Sequence, residues 1–178
     1  MNLPASLHIL VILCASVALF GLTGCDQGGD DSADNTGAEA ESFGLEECTS
    51  CGMVVREQPA PRGQAVHRDG TRKFFCALSD LLYYIETPSP HGQITDIFVE
   101  VLPADADPSE PDPSERDWLE AEKAQFIVGV DRPHVMGRPV LAYSPEVDVA
   151  TLAERFDGQV VEWEELADHV IHGDGHHH

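Results

Sequence analysis

Three sulfur atoms fall within six residues at Cys48-Thr49-Ser50-Cys51-Gly52-Met53. A Cys-x-x-Cys places two thiols on one turn, and the glycine after it lets the backbone fold closely round a bound ion. Thiolate and thioether are both soft donors, a mixture that favours Cu(I) over harder cations. Zinc prefers a second Cys pair or two closely spaced histidines; the remaining Cys partner for this motif is the lone Cys76. Three other uses of the motif stay open: a zinc knuckle of Cys48, Cys51, Cys76 and a histidine, a thioredoxin-like redox pair, and a plain disulfide. The redox reading expects the pair at a helix start, whereas Gly52-Met53-Val54-Val55 runs on toward extended chain.

A second candidate lies at His134-Val135-Met136-Gly137. The chain has three methionines, and the two beyond the initiator each sit beside a glycine at a turn, not on an apolar helix face. Met136 is therefore a candidate thioether ligand, against the commoner role of methionine as core filling. His169, His172, His176, His177 and His178 form a His-rich end of the kind that binds divalent metals or has no role at all. Cys76, directly after Phe74-Phe75, reads first as a small buried apolar residue. No Ser-His-Asp order, Gly-rich phosphate loop or spaced carboxylate pair stands out, so a non-enzymatic protein is expected.

Those ligands must be delivered by a chain of 178 residues with 10 Lys+Arg and 32 Asp+Glu, a formal charge of −22. Nucleic acid is excluded as a partner, because phosphate binding takes clustered cations. With 42% apolar and 7% aromatic residues the chain can build one modest core or two small ones. Residues 9–20 form an apolar run of twelve, short of the roughly 20 residues that span a bilayer. Leu22-Thr23-Gly24-Cys25 follows and resembles the lipobox of bacterial lipoproteins, in which the peptide is cut before the cysteine and a diacylglycerol is attached to its sulfur. Residues 1–24 are thus expected to be a signal peptide, and Cys25 the lipid anchor of a membrane protein facing the periplasm or another extracytoplasmic space. Cys14 would leave with the signal, so Cys48, Cys51 and Cys76 remain. An odd number cannot all pair, and in an oxidising compartment a soft metal is the better reason for free thiols.

After the anchor, residues 25–43 read as a disordered acidic tether, too poor in large apolar groups to offset chain entropy. Residues 44–102 read as a first unit: strands at 64–67 and 72–75 around the Asp69-Gly70 hairpin turn, a helix over 77–85 with apolar residues at 78, 81, 82 and 85, and a strand at 94–102. Residues 103–117, with four prolines and six acids among them, read as a linker. Residues 118–172 repeat the order, with strands at 125–130, 139–143 and 159–163, a helix over 149–156 stopped by Asp157-Gly158, and a short helix over 164–171. Residues 173–178 close the chain as a His-rich tail. The fold class is therefore α+β, two tandem ββαβ units after a lipoprotein signal peptide and acidic tether.

These residues resemble those of a known family. The lipobox, the acidic tether, Glu47-Cys48-Thr49-Ser50-Cys51-Gly52-Met53, Gly63-Gln64-Ala65-Val66, Lys73-Phe74-Phe75-Cys76, Lys123-Ala124-Gln125-Phe126-Ile127-Val128-Gly129 and Met136-Gly137 fall in the order seen in NosL proteins, lipoproteins of denitrifying bacteria accessory to nitrous oxide reductase. The resemblance implies a fold of two similar ββαβ domains, also like that of the organomercurial lyase accessory fold. It implies a copper(I) chaperone that serves the machinery maturing the copper–sulfur centre of the reductase. It carries ligand roles onto Cys48, Cys51 and Met53, with Met136 from the second half; His67 and His134 inherit none. The acidic insert at 103–117 and the His-rich end are departures that the family does not require.

The lipobox makes a direct prediction: mass spectrometry of the membrane fraction should find a diacylglyceryl-modified peptide beginning at Cys25, and Cys25→Ala should abolish processing and membrane association. Unchanged membrane association of that variant would refute the assignment.

Overall fold

A computed structural model of the chain describes residues 37–108, 112–132 and 137–173; the expected signal peptide, Cys25, Met136 and the last three histidines lie outside them. The first unit runs β1 (Gly63–His67), β2 (Arg72–Phe75), α1 (Leu78–Ile85) and β3 (Ile94–Glu100). Its hairpin turns on Gly70 at φ +82°, and the Asp69 carboxylate accepts the Thr71 N–H at 2.9 Å. Leu78, Leu81 and Leu82 of α1 are all buried, as their spacing requires. A short strand β4 (Trp118–Glu120) precedes the second unit, which runs β5 (Gln125–Val128), β6 (Val140–Tyr143), α2 (Val149–Arg155) and β7 (Gln159–Val161), then α3 (Trp163–Ala167). Asp148 caps α2 by accepting the Thr151 N–H at 3.3 Å. Beyond that helix the left-handed residue is Asp157, at φ 54°. Gly158 is needed for a different reason: a Cβ there would lie 2.6 Å from Ile127 Cγ2.

Both sheets are antiparallel and share one plan, with order β2-β1-β3-β4 in the first and β6-β5-β7 in the second. Residues 118–120, expected to open the second unit, instead pair with β3 as the edge of the first sheet. Alternate residues of β5 and β6 face opposite sides: Phe126, Val128, Val140 and Ala142 join Phe75, Leu81 and Val99 in a core shared by the two units. Ile127, Leu141 and Tyr143 face the other way, onto Val149, Leu152 and Ala153 of α2. The near-continuous apolar runs of β5 and β6 follow from burial on both faces.

The outer face of the first sheet is covered by the chain ahead of the Cys motif. The Glu41 N–H donates to the Gln64 side-chain oxygen at 3.0 Å, and Arg72 pairs with Glu41 at 3.1 Å. The Phe43 ring sits 5.1 Å from that of Trp118 and 4.5 Å below the Arg62 guanidinium. Residues 39–43, the end of the stretch expected to be a disordered tether, therefore form a seated strap.

Beneath it lies a fully buried ion pair. Arg62 donates from Nε to one Glu100 oxygen and from Nη2 to the other, each at 2.6 Å, with both side chains 0% exposed. Its remaining N–H groups donate to the carbonyls of Arg56 and Gln58 and of Pro113 and Ser114, while Glu100 also accepts the Arg116 N–H at 3.0 Å. The acidic, Pro-rich stretch is thus tied down where it supplies carbonyl oxygens to a buried cation. Removing one member of such a pair leaves an uncompensated charge, so Arg62→Met should lower stability by about 3–5 kcal/mol, read as a lower urea midpoint. A loss under about 1 kcal/mol would mean that the pair is exposed to water in solution.

Candidate metal centre

The Cys motif folds as a tight hairpin. Glu47 and Val54 form a bridge, the Cys48 N–H donates to the Met53 carbonyl at 2.7 Å, and the Gly52 N–H donates to the Cys48 carbonyl at 2.8 Å. Closing this loop places Gly52 at φ +76°, where a side chain would be strained. The Thr49 N–H donates to the Phe74 carbonyl at 2.9 Å, which docks the hairpin on β2. Cys76 lies one residue beyond that strand, and Asp80 lies in the first turn of α1.

Folding therefore gathers four groups from three elements. One ligand atom each from Cys48, Cys51, Cys76 and Asp80 lies within 4.8 Å of all the others. Cys51 Sγ and Cys76 Sγ are 3.4 Å apart. Asp80 Oδ2 is 3.5 Å from Cys76 Sγ and 3.7 Å from Cys48 Sγ. At a metal–sulfur distance near 2.3 Å, tetrahedral donors stand about 3.8 Å apart, so these groups could close on one ion with small movements. All three cysteines are free; Cys48 and Cys76 are buried, and Cys51 is exposed.

The protons are unevenly held. Hydrogen bonding from the Cys76 thiol, helped by the backbone N–H groups of Cys76, Cys51 and Ser50, brings Cys48 well below the usual thiol range against the opposing effect of burial. Cys76 is pushed up for the complementary reason: as a thiol it donates to Cys48, and burial adds to this. Burial and the Cys48 charge push the Asp80 carboxyl up. The apo centre thus favours a thiolate at Cys48 beside a proton that an incoming cation can displace at Cys76.

Of the residues marked from the sequence, Cys48 and Cys51 stand in this cluster. Met53 is half-buried and packs against the apolar group of Cys48, Val55, Phe74 and Cys76. Met136 and His134 lie outside the described residues; the neighbouring Gly137 is pressed against α1, where a Cβ would meet Ser79 Oγ at 2.6 Å. Cys25 also lies outside them. His67 is buried, with its ring nitrogens 3.0 Å from the Gly92 carbonyl and 2.9 Å from the Tyr84 hydroxyl, a packing role. In the sequence Cys76 reads first as a buried apolar residue and Asp80 carries no mark, yet both stand in the cluster. The signal available was the four-residue step from Cys76 to Asp80 across a helix start.

The model of the NosL family matches residues 42–171. The copper-binding lipoprotein NosL of Stutzerimonas stutzeri is 29% identical over 174 residues, which cover 93% of this chain and 88% of that protein. The protein of the same name from Achromobacter cycloclastes is 27% identical over 124 residues, covering 68% of this chain and 63% of its own length. Among solved structures, the copper chaperone NosL from Shewanella denitrificans superposes with a TM-score of 0.59 at 25% identity, over 71% of this chain and 94% of that one. Its relatives are thus carriers and binding lipoproteins by name, and the sulfur cluster lies inside the matched region. The chain belongs to the NosL family.

Proposed function

We propose that this protein is a copper(I) carrier, held by a lipid on Cys25 at the extracytoplasmic face of a membrane. It hands its ion to the machinery that assembles the copper–sulfur centre of nitrous oxide reductase. The observation that carries the reading is the convergence of three thiols and one carboxyl within 4.8 Å, in a chain whose relatives are named for copper. Cys48 and Cys51 are the primary ligands and Cys76 supplies a third sulfur. Met53 and Met136 are neutral thioethers, weaker donors than thiolates, that can be exchanged for a partner's ligand at the start of transfer. Gly137, the residue after Met136 in the sequence, packs against the helix that carries Asp80.

A zinc-stabilised adaptor is the second reading, favoured by the same near-tetrahedral donor spacing. A Cu(I) competition assay on the full chain separates the two. The expected result is one Cu(I) per chain, with high affinity lost in Cys51→Ser and in Cys76→Ser while the circular dichroism of each apo variant is unchanged. Stoichiometric zinc in protein purified without added metal, or an apo form that unfolds, decides for the adaptor.

Met136→Leu keeps most of the side-chain volume, at a stability cost usually under about 1.5 kcal/mol, but cannot ligate. It should weaken Cu(I) affinity or slow transfer to an acceptor. If both are unchanged, Met136 is not a ligand.

A further inference from the structure

The Cys-x-x-Cys spacing names Cys48 and Cys51 as the natural disulfide partners, but the folded arrangement of the three sulfurs differs. Cys51 Sγ is 3.4 Å from Cys76 Sγ, and a bond length near 2.05 Å would be reached by a shift of about 0.7 Å from each side. Cys51 is exposed, at the tip of a hairpin beside Gly52, whereas Cys76 is buried. Cys48 is 2% exposed, and its sulfur already accepts the Cys76 N–H at 3.4 Å. An oxidant from solvent can therefore reach Cys51 alone, and the sulfur found in contact with Cys51 is that of Cys76.

We propose that Cys51 and Cys76, 25 residues apart, form a disulfide in the metal-free protein, and that a disulfide oxidant and Cu(I) compete for these two sulfurs. The chemistry is thiol–disulfide exchange with a small disulfide R–S–S–R. Cys51 attacks one sulfur of the oxidant, forming a mixed disulfide and releasing one RS⁻, which takes up the proton that Cys51 gave up. Cys76 then attacks Cys51 Sγ, displacing the second RS⁻, which takes up the Cys76 proton. Two protein thiols are oxidised to one disulfide and the oxidant is reduced to two thiols. The product takes two of the three cysteine sulfurs from the cluster and leaves Cys48 with neutral thioethers, which are weaker donors than the thiolates lost, so Cu(I) is held less tightly. An ion held by all three sulfurs blocks the first attack. The competition rests on the copper-carrier reading; the choice of disulfide partner does not. The exported location expected from the lipobox is where such oxidants occur.

The test uses reduced, metal-free full-length protein incubated without oxygen with oxidised glutathione, followed by alkylation and peptide mass mapping. The expected product is a peptide pair linked through Cys51 and Cys76, with Cys48 alkylated, and it should be absent from protein preloaded with one equivalent of Cu(I). Cys48→Ser should still form the link. Cys76→Ser should stop at a stable glutathione adduct on Cys51. The oxidised protein should lose high-affinity Cu(I) binding and regain it after treatment with a dithiol. A link between Cys48 and Cys51 in the native protein would overturn the proposal, as would an unresolved glutathione adduct on Cys51 there. Oxidation at the same rate with Cu(I) bound would overturn the competition. If the expected link forms but the reduced protein binds no Cu(I), the carrier reading fails and the partner assignment stands.

Discussion

A buried charge must be answered on every side, and the ion pair of Arg62 and Glu100 organises much of this molecule through that requirement. With both side chains at 0% exposure, neither ion has water to replace a missing partner. Glu100 answers two donors of the guanidinium; carbonyls of Arg56, Gln58, Pro113 and Ser114 answer the rest. These carbonyls belong to the segment after the Cys motif and to the acidic Pro-rich stretch. One side chain therefore joins a strand start, a strand end, the exit of the sulfur hairpin and a connection that looks like a free linker by composition. Well-packed apolar residues could match such a pair in stability. What they could not do is bind irregular backbone, which has carbonyls to satisfy and no ladder to satisfy them.

That scaffold bears on the sulfur centre. The hairpin with Cys48 and Cys51 is short and would not hold its shape alone. It is docked on β2 by one backbone hydrogen bond at 2.9 Å and followed by the segment that Arg62 holds. Packing by Phe43 and Phe74 completes the apolar group around Cys48 and Cys76. The result is a centre whose base is buried and whose one accessible sulfur is that of Cys51. For a carrier, such asymmetry is useful: burial protects the ion from water, and the exposed edge is where another protein's ligand can begin exchange.

The two units share a plan but not a role. In the first, the sheet's outer face is closed by the seated strap and the sulfurs collect at the end of β2. In the second, β5 and β6 are buried on both faces and act as the inner wall of the shared core. Tandem repetition thus creates a broad apolar base for a chain whose formal net charge is −22.

Much of this was legible along the chain because its causes are local. Helix α1 follows from apolar residues at 78, 81, 82 and 85, the β1–β2 turn from Asp69-Gly70, and the sulfur loop from Cys48, Cys51 and Gly52. Each of these depends on a few consecutive φ and ψ values or on one face of a short element. Other features depend on long-range closure. Cys76 looks apolar beside two phenylalanines, and Asp80 is one acid among 32 Asp+Glu; only the docking of the hairpin on β2 shows that their ligand atoms meet those of Cys48 and Cys51. Composition likewise could not place the strap at 39–43 or the stretch around Pro113, because their order comes from partners on Gln64, Arg72 and Arg62. The sequence alone determined which atoms were available to hold a soft ion. The tertiary structure decided which of them share one site, because ligand convergence is set by packing between elements, and spacing within any one element carries no record of it.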